Sequence, residues 1–255
     1  MDSVWNFDLA AKKLLKFDNR GEFYIVEALC RPKKDGSSTL LGTTNNHTRM
    51  IRMWTFYSVE DFYRMRDEII KICDANNARA YLLVTRRTTY GAMKAVIAKA
   101  LKSLDNERVN FHKFITSTLC GEHPSSNKRW VFDIDWDDPH LLEWTRNEIL
   151  GGKGSMTGEV LTKSVELFYK VCGYRVCICG SGKEEDVVWV NTKNGCHIVT
   201  PPFNLCECKK TGLPPMPEPY HPTWLKKDAL TLLYSPQHCG GKDSEYTAAE
   251  TAEED

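Results

Sequence analysis

The sequence carries no net charge: 34 Lys and Arg residues balance 34 Asp and Glu over 255 residues. Disordered chains combine high net charge with little apolar content, whereas 42% of this chain is hydrophobic, so disorder throughout is excluded, as is a generally basic protein. No run of about eighteen apolar residues occurs, so no transmembrane helix and no membrane partner are expected. The first eight residues lack a basic segment followed by an apolar run, so no signal peptide is expected and the chain reads as cytoplasmic. In that reducing setting its ten cysteines are expected to be mostly free thiols. There is no solenoid-type repeat. The length fits one large or two small domains.

The zero net charge is an average over unlike halves. Residues 1–130 carry 22 basic and 14 acidic residues, and residues 131–255 carry 12 and 20. The acidic excess is concentrated at the end, where residues 241–255 hold one Lys against six acids and read as a disordered tail. A basic half beside an acidic half suits either a polyanion-binding half with an acidic tail or an uneven scatter of solvated faces.

The first half alternates strand and helix patterns. A helical stretch covers residues 8–16. Residues 22–30, 50–57 and 78–85 are rich in apolar and β-forming types and read as strands. Ser58, with an acid three residues on, opens a helix whose apolar face is Phe62, Met65, Ile69, Ile70 and Cys73. A further helix is expected from Thr89 to Leu104. A second unit starts with a strand at residues 129–135. Asp138 then caps a helix with Pro139 at its first position, running to about Leu150. Residues 159–172 are helical, and 174–179, 186–190, 196–200 and 229–234 read as strands. The expected units are thus 1–128, 129–240 and the tail 241–255, in an α+β fold.

Three segments carry candidate chemistry. Val131-Phe132-Asp133-Ile134-Asp135 is an apolar strand with acids at i and i+2, which share one face because strand side chains alternate. Two carboxylates so close repel unless a cation lies between them, and hard oxygen ligands suit Mg²⁺ or Mn²⁺. In the second segment, Asn191-Thr192-Lys193-Asn194-Gly195 precedes His197 at the start of an apolar strand, so Lys193, Asn194, His197 and backbone N–H groups can together meet a triphosphate. The third is Asp228, a single acid before the apolar strand at 229–234. It supplies the third carboxylate that a two-metal phosphoryl-transfer site needs.

An apolar strand ending in Asp-x-Asp, a small-residue-x-His strand some sixty residues on, then an apolar strand with a third acid resembles the three-motif order of the archaeo-eukaryotic primase superfamily. Residues 130–135 and 191–204, with 77–81 and Arg86-Arg87 upstream, are similar to small primase-like proteins of tailed bacteriophages. The resemblance implies a catalytic core with an RRM-like mixed or antiparallel sheet flanked by helices. It implies that Asp133, Asp135 and Asp228 hold two Mg²⁺ or Mn²⁺ ions, that His197 contacts the nucleotide phosphate, and that the reaction is phosphodiester formation from nucleoside triphosphates on a nucleic-acid template. Implied partners are nucleoside triphosphates, single-stranded nucleic acid and a replicative helicase. The family usually has Ser two residues before the histidine, where this chain has Gly195. A nucleotide- or nucleic-acid-binding module without turnover, and a Mn²⁺-dependent nucleotide-sugar glycosyltransferase using the same Asp pair, are the alternatives.

Four further features stand apart from these motifs. Arg86 and Arg87 follow a strand, where a guanidinium pair can grip phosphate bidentately. His47, Arg49 and Arg52 near Trp54, Phe56 and Tyr57 suggest a basic, aromatic nucleic-acid surface. Cys177-x-Cys179 and Cys206-x-Cys208 depart from the usual Cys-x₂-Cys zinc spacing, Cys206 and Cys208 being the expected ligands if zinc binds. Gly151-Gly152-Lys153-Gly154-Ser155 follows a helix, so it reads as a terminating loop and not a phosphate loop.

Overall fold

The computed structural model describes residues 3–30, 48–103, 111–121, 127–180, 182–204, 224–227 and 229–236. It is an α+β structure built on two antiparallel sheets. The strands of the first are β1 (Val4–Trp5), β2 (Glu22–Cys30), β3 (Arg49–Phe56), β4 (Arg79–Leu83), β5 (Arg87–Thr88) and β10 (Leu230–Ser235), in the order β1-β10-β4-β2-β3 with β5 pairing with β2. The second runs β7 (Val188–Asn191), β8 (Gly195–Thr200), β6 (Trp130–Asp135), β9 (Leu225–Lys227).

Strand β2 has no polar face because both of its faces are covered, the pattern of a strand buried between layers. One face, with Phe23 and Ile25, packs beside Leu83 and Ala92 under α3 (Thr89–Leu101) and α4 (Phe111–Leu119). The other, with Tyr24, Val26 and Ala28, meets Phe62, Ile69 and Cys73 of α2 (Val59–Asn76) and Phe7, Ala10 and Leu14 of α1 (Phe7–Leu9) and its π-helical continuation Ala10–Leu14. Val131, Val188, Val190 and Val199 of the second sheet join this same core. The opposite face of the second sheet, with Phe132, Ile134, Cys196 and Ile198, packs on α5 (Pro139–Trp144) and α6 (Gly158–Cys179) through Leu141, Trp144, Val165, Phe168 and Val176.

Local signals explain much of this. Ser58 Oγ accepts from Asp61 N at 3.0 Å and starts α2. Asp138 Oδ1 accepts from Leu141 N at the start of α5, which ends in a π-helical turn, Thr145–Ile149. Gly151, Gly152 and Gly154 then adopt positive φ and terminate it.

Three expectations need correction. Residues 174–179 are not a strand but the last turns of α6. Their apolar residues fit either period, and the helix wins because Val171, Cys172, Val176 and Cys179 fall on the face buried against the second sheet. Cys177 and Cys179 therefore point apart, one exposed and one buried, so they cannot close a site together; Cys206 and Cys208 lie outside the described residues. The strand expected at 229–234, placed in the second unit, instead pairs in the first sheet between β1 and β4. Among the described residues, no helix is long and apolar enough to cross a membrane.

Candidate functional site

The Asp-x-Asp strand and the histidine strand are neighbours. In the antiparallel β6–β8 ladder, Asp133 lies directly opposite His197 and Asp135 opposite Gly195. Alternation puts Phe132 and Ile134 into the core beneath α5 and α6 and turns Asp133 and Asp135 to the face that looks toward the first sheet. The carboxylates thus sit at the rim of the core shared by the two sheets.

Asp133 is held on both oxygens. Oδ1 accepts from His197 Nε2 at 3.0 Å, and Oδ2 pairs with the Lys226 ammonium on β9. The imidazole is fixed from behind by β10: Nδ1 lies 3.0 Å from Thr231 Oγ1 and accepts from Leu232 N at 3.4 Å. A backbone N–H can only donate, so Nδ1 is the acceptor and the ring proton sits on Nε2, facing Asp133. The site therefore joins both sheets: the carboxylate comes from the second and the group that orients its histidine from the first.

The hairpin between β7 and β8 forms the other wall. Thr192 N donates to Gly195 O at 3.1 Å, and Trp136 N, just past Asp135, donates to Asn194 O at 2.8 Å. Asn6 anchors the hairpin to the first sheet by donating from Nδ2 to Asn191 O at 2.9 Å and Leu232 O at 3.0 Å. Lys193 and Asn194 sit at the hairpin tip, beside the end of β6. The glycine that opens β8 has a steric cause. A Cβ on Gly195 would meet Ile134 O at 1.9 Å and Asp135 Cα at 2.9 Å. The strands approach too closely there for any side chain.

The two acids differ in their electrostatics. Burial alone disfavours a charged Asp133, but the hydrogen bonds from His197 and Lys226 and the positive charge of Lys226 outweigh it and hold the carboxyl well below the usual range. Asp135 is pushed upward, first by desolvation and then by the negative charges of Asp133 and Asp137. Buried beside both acids, the Cys196 thiol is pushed up to about 12 and stays protonated.

The arginines go elsewhere. Arg86 is buried, donating to Lys16 O at 2.7 Å and pairing with Asp18 at 3.0 Å and Glu22 at 3.1 Å. Arg87 is buried too and donates to Gly121 O at 2.8 Å. Both tether loops of the first sheet, which corrects their expected place in a phosphate grip. The expected basic, aromatic surface is only partly present: Arg49, Arg52 and Tyr57 are exposed, but two of its three aromatic rings are not. Trp54 and Phe56 are core residues, and Arg52 stacks on Trp54 while pairing with Glu68 at 2.6 Å; His47 lies outside the described residues.

Asp228 also lies outside them. Among the described residues no group of three or more His, Cys, Asp or Glu side chains is placed to hold a metal ion. The two strand carboxylates are nevertheless donors of the type a hard divalent cation takes. Sequence reasoning missed Lys226 and Thr231. Lys226 stood in plain view beside Asp228, but only the strand pairing shows which carboxylate it reaches. Thr231, an ordinary strand residue, gave no signal. Comparison with known proteins finds no family model, curated protein or solved structure that matches this chain.

Proposed function

We propose that the chain is a primase-like, divalent-metal-dependent nucleotidyltransferase that joins nucleoside triphosphates on a single-stranded template, like the small phage proteins its motifs resemble. The observation that supports this reading is the direct opposition of Asp133 and His197 across one ladder, with Asp135 beside them: segments some sixty residues apart in sequence meet on one strand face. Asp133 and Asp135, with Asp228, would hold Mg²⁺ or Mn²⁺. The bound cation would supply Lewis-acid stabilisation of phosphate charge.

The remaining roles belong to the chain itself. His197, its Nε2 proton aimed at Asp133, orients that carboxylate, and Thr231 and Leu232 N hold the ring in the required tautomer. Lys226 balances the charge of Asp133 until a phosphate offers a competing partner. Lys193 and Asn194 on the hairpin tip contact the triphosphate. Arg86 and Arg87 have no part in it. The Lys226 pairing with Asp133 favours a second reading, a nucleotide-binding module without turnover.

The test is incorporation of labelled nucleotides on single-stranded DNA with Mn²⁺ or Mg²⁺. Extension by the wild type and its loss in Asp133→Ala and Asp135→Ala is the expected result. Nucleotide binding without any extension selects the second reading. Mn²⁺ and nucleotide affinities unchanged in the double variant Asp133→Ala/Asp135→Ala refute the carboxylate assignment in both.

A further inference from the structure

Helix α3 turns an apolar stripe to solvent. Tyr90 is 78% exposed, Met93 58%, Ile97 56% and Leu101 65%. Successive helical residues advance by about 100°, so these four fall within an arc of about 80°. The opposite side is fixed to the protein: Ala92 is buried in the first sheet's outer core, and Lys99 Nζ reaches Ser117 Oγ at 2.8 Å and lies over the Phe114 ring. The stripe is therefore additional to the face that folding uses. A contiguous exposed apolar row on a soluble chain marks an interaction surface.

The charges beside it define the occupant. Lys94 borders the stripe, about 20° beyond its Leu101 edge, and Lys102 follows the last residue of the helix; both are exposed. No Asp or Glu occurs from Arg86 to Leu104. A second copy would bring lysines against lysines, so self-pairing is disfavoured. Nucleic acid would use the lysines and Tyr90 but gains little from Met93, Ile97 and Leu101, which present no base-stacking plane. Anchors spaced at i, i+3, i+7 and i+11 match the ridge of another helix.

We propose that the outer face of α3 docks an acidic amphipathic helix of a partner protein, its apolar residues on Tyr90, Met93, Ile97 and Leu101 and its carboxylates on Lys94 and Lys102. The surface is independent of the Asp133 site.

The experiment uses the full chain and a fluorescein-labelled helical peptide with Leu at i, i+4, i+7 and i+11 and Glu on both flanks. A control peptide has Lys in place of each Glu. Anisotropy should show at least about tenfold tighter binding of the Glu peptide. Ile97→Ser/Leu101→Ser should weaken it about tenfold or more, and Lys94→Glu/Lys102→Glu should reverse the peptide preference. All four side chains are exposed, so thermal melts should match wild type, and Tyr90→Ser/Met93→Ser gives an independent second pair. Equal affinity for the two peptides overturns the proposal. So does displacement of the peptide by single-stranded DNA whose own binding needs Ile97 and Leu101, or a dimer in sedimentation that Ile97→Ser/Leu101→Ser abolishes. A large gain in peptide affinity on ending the chain at residue 240 would assign the face to the chain's own acidic end and overturn it as well.

Discussion

Gly195→Ala tests how closely the two motif strands approach. The added Cβ would lie 1.9 Å from Ile134 O and 2.9 Å from both Ile134 C and Asp135 Cα. All three are backbone atoms, so no side-chain rotation relieves the overlap. The end of β8 must move away from β6 by about 1.5 Å to restore ordinary contact. That movement breaks or strains the terminal rung opposite Asp135, the Trp136 N to Asn194 O bond and the Thr192 N to Gly195 O bond. At about 0.5–1.5 kcal/mol net for each hydrogen bond, the expected loss is about 2–3 kcal/mol. For a chain of this size that lowers Tm by about 5–10 °C. Differential scanning calorimetry supplies the measurement, with Gly158→Ala as the control. Gly158 has no atom within 4 Å of its added Cβ and sits at the start of α6, so alanine there should be neutral or slightly stabilising. A Gly195→Ala melt within about 1–2 °C of wild type would refute the close approach and, with it, the steric explanation for glycine at this position.

Four other outcomes follow from the same site and core. The folded state depresses the Asp133 carboxyl, so its contribution to stability is fully present above the unfolded value of about 3.9 and is lost as pH falls below it; urea unfolding between pH 6 and pH 3 should show a steeper acid loss in wild type than in Asp133→Asn. Asp135 is pushed the other way, so Asp135→Asn should raise Tm of the metal-free protein at neutral pH while reducing Mn²⁺ affinity, and a lower Tm would count against the crowded-carboxylate account. Thr231→Val should cost about 1 kcal/mol by removing the hydroxyl at His197 Nδ1, and ¹⁵N NMR of the imidazole should show a less uniform tautomer. Among the described cysteines only Cys177 is exposed, while six are buried or half-buried, so Cys177→Ser should remove most of their fast reaction with a thiol reagent.

The sequence was most informative where the signal was local. Ser58 followed by an acid, the unbroken apolar run of β2 and the i, i+2 acids of β6 each depend on neighbours a few residues away, and each element formed where expected. Where long-range packing decides, the sequence was silent or misleading. The apolar residues of 174–179 suit a strand until the second sheet selects their helical face. The burial of Arg86 depends on Asp18 and Glu22, carboxylates some seventy residues upstream whose proximity no spacing reveals. The Asp133–His197 opposition was legible as two motifs but not as a contact, and Lys226 and Thr231 entered the site only through strand pairing.

The position of β10 has a consequence for how the protein is made. This strand comes from the end of the described chain yet lies between β1 and β4, which come from its beginning. While residues 1–128 leave the ribosome, their sheet lacks an inner strand, and β4 presents an open edge on that side. Completion of the first sheet must therefore wait until residues 230–235 have been made, a high-contact-order closure that is slow and leaves an edge open to wrong partners. Thr231 and Leu232 arrive with that strand, so the histidine is locked in the step that completes the sheet. A nascent or truncated chain that ends before Leu230 would have both motif strands and no assembled site.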